Sequence, residues 1–385
     1  MRDARAARSH HTPRGDEGFF VGRSFMTTTQ SARPIDAVAG MRRTYIGLSP
    51  ISIGWLVLIA AAAVALTQGA ATIPASTTFA ILLNRLPLVD IDVAASPAWE
   101  RIVIDVRLPR VLIAGAVGAA LSFSGAAYQG VFRNPLADPF LLGVAAGAGL
   151  GASIAIILPL ETGAYGFGWV PVFAFAGALV AVAIAYLVSQ VGRSVSNTTL
   201  ILAGVAVSAV CGSATSFILI TGGELARPIL SFLFGSFNSA SWERLALAAP
   251  YLIVGSLVVG AYGRVLNVLQ LDEEQASQLG VDVPRVKLIV LVGASLVAAT
   301  AVATAGVIGF VGLIVPHVVR MLFGGDHRQM LPLAALLGAA FLIAADVLSR
   351  TVLAPQDIPV GIVTAAAGAP FFLYLLRTRR VDGLR

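Results

Sequence analysis

The chain has 385 residues, 57% of them hydrophobic and 12% charged, with a mean hydropathy of +0.86. Soluble domains carry about 25% charged residues, so an ordinary water-soluble core is excluded. The net charge of +6 does not point to nucleic acid, because the arginines flank apolar blocks and form no basic stripe. The one cysteine, Cys211, lies inside an apolar stretch, which leaves no intrachain disulfide and no cysteine-rich metal site.

In chain order, residues 1–45 are polar and lack an apolar core followed by a cleavage site, so they read as a disordered cytoplasmic tail and not as a signal peptide. Met26 and Met41 are alternative starts within it. A bilayer-spanning helix needs about 20 apolar residues, and the blocks that follow predict ten spans: 46–66, 111–132, 140–158, 169–191, 198–220, 245–263, 286–305, 307–323, 331–352 and 358–376. The expected fold is therefore all-α, a polytopic membrane helix bundle. Residues 46–378 make up the transmembrane domain, and 379–385 a short cytoplasmic tail. Eight of the 26 basic residues precede the first span and Arg377, Arg379, Arg380 and Arg385 follow the last, which puts both termini in the cytoplasm. An even number of spans satisfies that. The loops at Arg133, Arg193, 264–287 and Arg320–Arg328 then face the cytoplasm, while 67–110, 159–168, 221–244 and 353–357 face outward.

Glycine is abundant, at 39 residues, and spacings such as Gly147-x-x-x-Gly151 predict closely packed helices. Energy conversion is missing. The single lysine, Lys287, stands in Val-Lys-Leu, so no phosphate-binding Gly-x-x-x-x-Gly-Lys-Ser/Thr loop exists. An ion relay is also unsupported, because the one acidic residue well within a span, Asp346, has Arg350 one helical turn on as its expected partner. Neither His-Glu-x-x-His nor Gly-x-Ser-x-Gly occurs, which disfavours an intramembrane hydrolase, and His317 after Pro316 reads as structural.

Loop 264–287 is the one sizeable cytoplasmic excursion. Asp272 is expected to cap a short helix with Ala276 and Leu279 on one face, and Gly280 to end it. Such a helix suits either a docking surface or a solvated connector.

A collinear set of motifs then carries a resemblance. Arg107-Leu-Pro-Arg110, Ser124-Gly125, Gln129-Gly130, Arg133-Asn-Pro-Leu-Ala-Asp-Pro139, Leu142-Gly143, Leu202-Ala-Gly-Val205 and Leu279-Gly280 come first. Gly309-Phe-Val-Gly-Leu-Ile-Val-Pro-His317, Asp326-His-Arg328, Ala345-Asp346, Ile358-Pro-Val-Gly-Ile-Val-Thr364 and Gly368-Ala-Pro-Phe371 follow. Over about residues 50–378 the chain resembles the iron-compound and cobalamin permease family of ABC importers, the FecCD/BtuC-like permeases.

The resemblance implies a bacterial cytoplasmic (inner) membrane protein that pairs with a second copy of itself. Two ATPase subunits would sit inside, holding ATP and Mg, and a periplasmic or surface-anchored substrate-binding protein outside. This subunit is expected to bind no cofactor and no metal, and to catalyse no reaction. The resemblance also makes 264–287 the coupling helix, with Leu266, Leu269, Glu274, Ala276, Leu279 and Gly280 meeting the ATPase. By the same carry-over Arg107, Arg110 and Arg350 dock the binding protein, although the first two also suit interfacial anchors and Asp346 competes for the third. Asn134 and Asn197 are expected at the cytoplasmic gate, where turn chemistry alone would also select asparagine. Arg227, Phe232 and Phe234 are expected along the substrate pathway, with pairing of Arg227 to Glu224 as the plain alternative. The cargo expected is haem or another iron complex, with ferric siderophore and cobalamin as alternatives. An ion-gradient-driven secondary transporter is the competing class, and would call for midplane acidic residues or repeats.

Overall fold

Local chemistry starts the helices. Ser49, Ser96, Ser241, Asp282 and Asp326 each place a side-chain oxygen on a backbone N–H of the first turn, and Pro50, Pro97 and Pro284 follow at positions where no donor is lost. A computed structural model describes residues 49–382 except 70, 88, 90, 92–94, 159, 161–167 and 192–193. The expected N-terminal tail and residues 383–385 lie outside the described residues.

The helices are α1 (Pro50–Thr67), α2 (Ala75–Leu83), α3 (Pro97–Arg101), α4 (Leu108–Phe132), α5 (Val144–Ile157), α6 (Trp169–Ser189) and α7 (Asn197–Thr221). They continue as α8 (Ala226–Phe234), α9 (Trp242–Ala261), α10 (Gly263–Val268), α11 (Glu273–Gln278), α12 (Val283–Ala305), α13 (Val311–Phe323), α14 (His327–Thr351) and α15 (Val360–Asp382). A two-residue ladder, Gln190–Val191 against Ser194–Val195, is the only strand pairing among the described residues. Seven helices are long and apolar enough to cross a membrane, and α5, α13 and α15 are shorter apolar helices. The chain is thus an all-helical, multi-pass membrane protein, and each of the ten predicted spans coincides with one of these helices.

Three boundaries differ. Region 67–110, expected to be a loop, contains α2 and α3. The latter runs through a π-helical segment, Ile102–Arg107, straight into α4. Its charges hid it: Arg85 and Glu100 pair at 2.6 Å on the outside, while Ile73, Ile81 and Val103 form a small core beneath them. The predicted span 140–158 is broken by Gly143 at φ +87° into a 3₁₀ turn, Pro139–Leu142, and α5. The predicted span 307–323 starts only at Val311, because Gly306 and Phe310 both have positive φ. At 1.5 Å per residue, thirteen residues reach about 20 Å, short of a bilayer core of about 30 Å.

Helices α4, α12 and α14 form the inside: 78%, 72% and 56% of their apolar windows are buried, against 17% for α1 and α9. Backbones touch where small residues meet. A Cβ on Gly125 would stand 2.0 Å from the Gly312 carbonyl oxygen, and one on Gly151 2.0 Å from that of Phe173. The expectation drawn from glycine spacing holds here. Gly125→Ala should therefore force α4 and α13 apart, costing about 1–3 kcal/mol by overpacking. The purified variant's thermal midpoint checks it, and an unchanged midpoint would contradict so close a contact.

Candidate functional site

The long helices carry polar clusters at both ends. At one end, Arg107 is buried at the start of α4 and donates to the carbonyls of Leu66 (2.9 Å), Thr67 (3.4 Å) and Ala71. Arg350, near the end of α14, donates to Ala65 (2.8 Å) and Gln68 (2.9 Å). Both guanidinium groups thus satisfy carbonyls that α1 leaves open at its C-terminus. Between them Asp346, 2% exposed, accepts from Arg110 Nε and Nη2 at 3.0 and 2.9 Å and lies 3.3 Å from Arg350 Nε. Arg110 also donates to Asp357 at 2.9 Å. The expected Asp346–Arg350 pair is present, but Arg110 is the nearer partner. Arg107 and Arg350, expected on a docking surface, are instead buried, because they cap a helix end. Arg110 is largely enclosed by its two carboxylates.

The opposite end lies about 29 Å away along α14, nineteen residues from Asp346 to His327. Here loop 264–287 is bound to three other segments. Gln270 Nε2 donates to the Gly130 carbonyl at 3.0 Å. Asn267 donates to Asp326 at 2.7 Å, and its amide oxygen accepts from the His327 N–H at 2.8 Å. The Asn267 bond is the first cause holding the Asp326 carboxyl below its usual range. Arg133, in the left-handed region at φ 52°, donates to the Leu271 carbonyl at 3.0 Å and to Asp272 at 3.3 Å. Glu273 accepts from Lys287 Nζ at 2.6 Å and lies 3.5 Å from Arg133, and the same ammonium donates to Asn197 Oδ1 at 3.0 Å. A continuous chain of charge-assisted bonds therefore joins α11 to the first residue of α7.

The coupling residues divide by exposure. Leu266, Leu269 and Ala276 are buried and anchor the loop, which corrects their expected role as contact residues. Glu274, Leu279 and Gly280 are exposed. Ala276 and Leu279 do not share an environment, since Leu279 is 65% exposed beside a fully buried Ala276. Asp272 stands at the N-cap position without a capping bond, its carboxylate taken by Arg133. Gly280 does end α11, at φ +83°, with Val281 N–H on the Ala276 carbonyl and its own N–H on that of Ser277.

Asn134 is exposed and its amide oxygen accepts from Leu136 N–H at 2.9 Å, a local turn; no hydrogen bond joins it to Asn197 among the described residues. On α8, Arg227 and Phe234 are exposed on one face, with no ion pair to Glu224 among the described residues. Phe232, two residues before Phe234, turns the other way and packs against the core, so the structure separates it from them. No group of three or more His, Cys, Asp or Glu that could hold a metal occurs among the described residues.

Residues 57–378 match the FecCD transport family. The chain belongs to that family. It is 42% identical over 347 residues, 88% of this chain and 92% of the relative, to the cobalamin import system permease protein BtuC of Halobacterium salinarum. It is 41% identical to the hemin transport system permease protein HmuU of Yersinia pestis over 297 residues, 74% of this chain and 86% of that one. A solved inward-facing conformation of a candidate metal-chelate type ABC transporter superposes with a TM-score of 0.70 at 32% identity, covering 85% of this chain and 98% of its own.

In this FecCD-family permease, sequence reasoning passed over Glu273 and Asp357 and used Lys287 only to exclude a phosphate-binding loop. Lys287 had a signal: a cation near a helix N-terminus is disfavoured by the helix dipole and needs a partner. What could not be read was which carboxylate, fourteen residues upstream, supplies it.

Proposed function

We propose that this chain is the membrane-spanning half of an importer that carries haem or another iron complex into the cytoplasm, energised by separate ATPase subunits. The observation that carries the reading is the bonded path from exposed α11 through Glu273 and Lys287 to Asn197. A partner that moves α11 thereby moves the start of α7. In this reading the permease sits in the bacterial inner membrane with both termini inside, and the end bearing α11 faces the cytoplasm. Two ATPase subunits bind there on Glu274, Leu279 and Gly280, and use ATP and Mg that this subunit does not bind. A soluble binding protein docks at the Arg110 end, where Arg107 and Arg350 hold the frame. A second copy packs on the apolar face of α7, where Leu202, Val205, Val210, Phe217 and Ile220 are all exposed. Asn197, and Asn134 through its turn, belong to the inner gate.

Arg227 and Phe234 share an exposed face of α8, which suits a cargo combining carboxylates with an apolar ring, as haem does. Cobalamin is the second reading, supported by the 42% identity to a cobalamin permease. The test is ATPase stimulation of the reconstituted complex with its binding protein. Haem should stimulate wild type, and Arg227→Gln should weaken the response by about tenfold, the worth of one charge-assisted contact. Stimulation by cobalamin and not by haem would overturn the cargo. A chain that neither co-purifies with an ATPase nor supports ATP-driven uptake would overturn the importer itself, and uptake driven by an ion gradient would favour a secondary transporter.

A further inference from the structure

Arg244, in the first turn of α9, is a cation that neither polar cluster uses. It donates to Ser239 Oγ at 2.6 Å and to the Thr304 carbonyl at 3.5 Å, and no carboxylate pairs with it among the described residues. It borders a cavity of about 390 Å³ whose walls add the polar side chains of Ser231, Ser236, Asn238 and Thr304. Among the described residues, no acidic side chain lines it. On the other side of Arg244 lies an apolar cleft of about 220 Å³, bordered by Val172, Phe175, Leu247 and Tyr251. Three of these four, Val172, Leu247 and Tyr251, are about half exposed, on the surface that a membrane protein turns toward lipid.

Depth identifies the ligand. Trp169 begins α6 and Trp242 begins α9, and both are exposed, as expected of tryptophans in the interfacial belt of a bilayer. Arg244 is two residues below Trp242, about 3 Å along the helix. The guanidinium thus sits at headgroup level with hydroxyls on one side and an apolar cleft descending on the other. A cation and hydroxyls suit a phosphate, and the cleft suits an acyl chain.

From this we infer that the space between α6, α9 and α12 is a binding site for one anionic phospholipid, its phosphate on Arg244 and its chain between Val172, Phe175, Leu247 and Tyr251. Pro228, Ser231 and Phe232 of α8 border the cavity, so it adjoins the helix that carries Arg227 and Phe234.

The test uses the full chain in nanodiscs. Phosphatidylglycerol in a phosphatidylcholine background should raise the thermal midpoint of wild type, and native mass spectrometry should find one phosphatidylglycerol retained. Arg244→Gln should weaken that retention by about fivefold, the share of one basic residue in attracting an anionic headgroup. Leu247→Trp, which fills the cleft and leaves the cation in place, should weaken it as well, and keeps the test open if the arginine variant does not fold. Inorganic phosphate alone should protect poorly. Phosphate protecting as well as phosphatidylglycerol would overturn the lipid as its source. Protection by haemin that is lost in Arg244→Gln, without any by phosphatidylglycerol, would make the cavity part of a cargo path instead. Unchanged phosphatidylglycerol retention in both variants would overturn the site altogether. The readout is retained lipid, so failure here leaves the importer reading untouched.

Discussion

Lys287→Met should leave a folded permease that still holds its ATPase but moves about ten times less cargo per ATP. The ammonium is 10% exposed and donates to Glu273 and Asn197, so methionine keeps the aliphatic volume and removes both bonds. Stability should suffer only modestly. Glu273 is about half exposed and water can solvate it, which holds the loss to about 1.5 kcal/mol, the low end of the range for hydrogen bonds to charged groups. Coupling should suffer more, because under the proposed function the Glu273–Lys287–Asn197 path links α11, the helix that the ATPase contacts, to α7. A tenfold loss corresponds to about 1.4 kcal/mol, within the usual range of coupling free energies between sites. Uptake and hydrolysis measured together in proteoliposomes separate the two effects, and Lys287→Arg, which keeps charge and donors, should recover part of the coupling. Wild-type transport per ATP in the methionine variant would show that the path transmits nothing.

What the sequence makes legible depends on the range of the forces involved. Block length and hydropathy are local sums, so ten apolar helices can be counted from the residues alone. Glycine pairs such as Gly147 and Gly151 announce close backbones, because in lipid only small residues permit them. Charged helical segments mislead: Pro97–Arg107 looks like a loop because Glu100, Asp105 and Arg107 interrupt its apolar pattern. Sequence can also name Arg107 and Arg350 as important without assigning their work. Their acceptors are backbone carbonyls at and just beyond the end of α1, and a carbonyl carries no residue identity. Likewise Asp346 suggests its helical neighbour Arg350, one turn away. Arg110, 236 residues distant, becomes its nearer partner only through the packing of α4 against α14.

That packing sets up the largest effect on stability, at Asp346→Asn. The carboxylate is 2% exposed and faces two arginines whose own side chains are 14% and 7% exposed. The amide keeps the shape but removes the only negative charge between them, leaving the more exposed Asp357 to serve Arg110 alone. Removing one partner of a buried ion pair costs about 3–5 kcal/mol. A loss of that size should lower the thermal midpoint by roughly 5 °C in a chain of this length. Arg350→Met should cost less, since it removes a charge together with its need for a partner, although the carbonyls of Ala65 and Gln68 lose their donor. The double variant should be less unstable than the sum of the two, because both act on one network. A gradient-driven transporter makes the opposite prediction. If Asp346 were a coupling carboxylate, asparagine would preserve the fold and abolish transport, so an unchanged midpoint with lost uptake would reassign this residue from frame to mechanism.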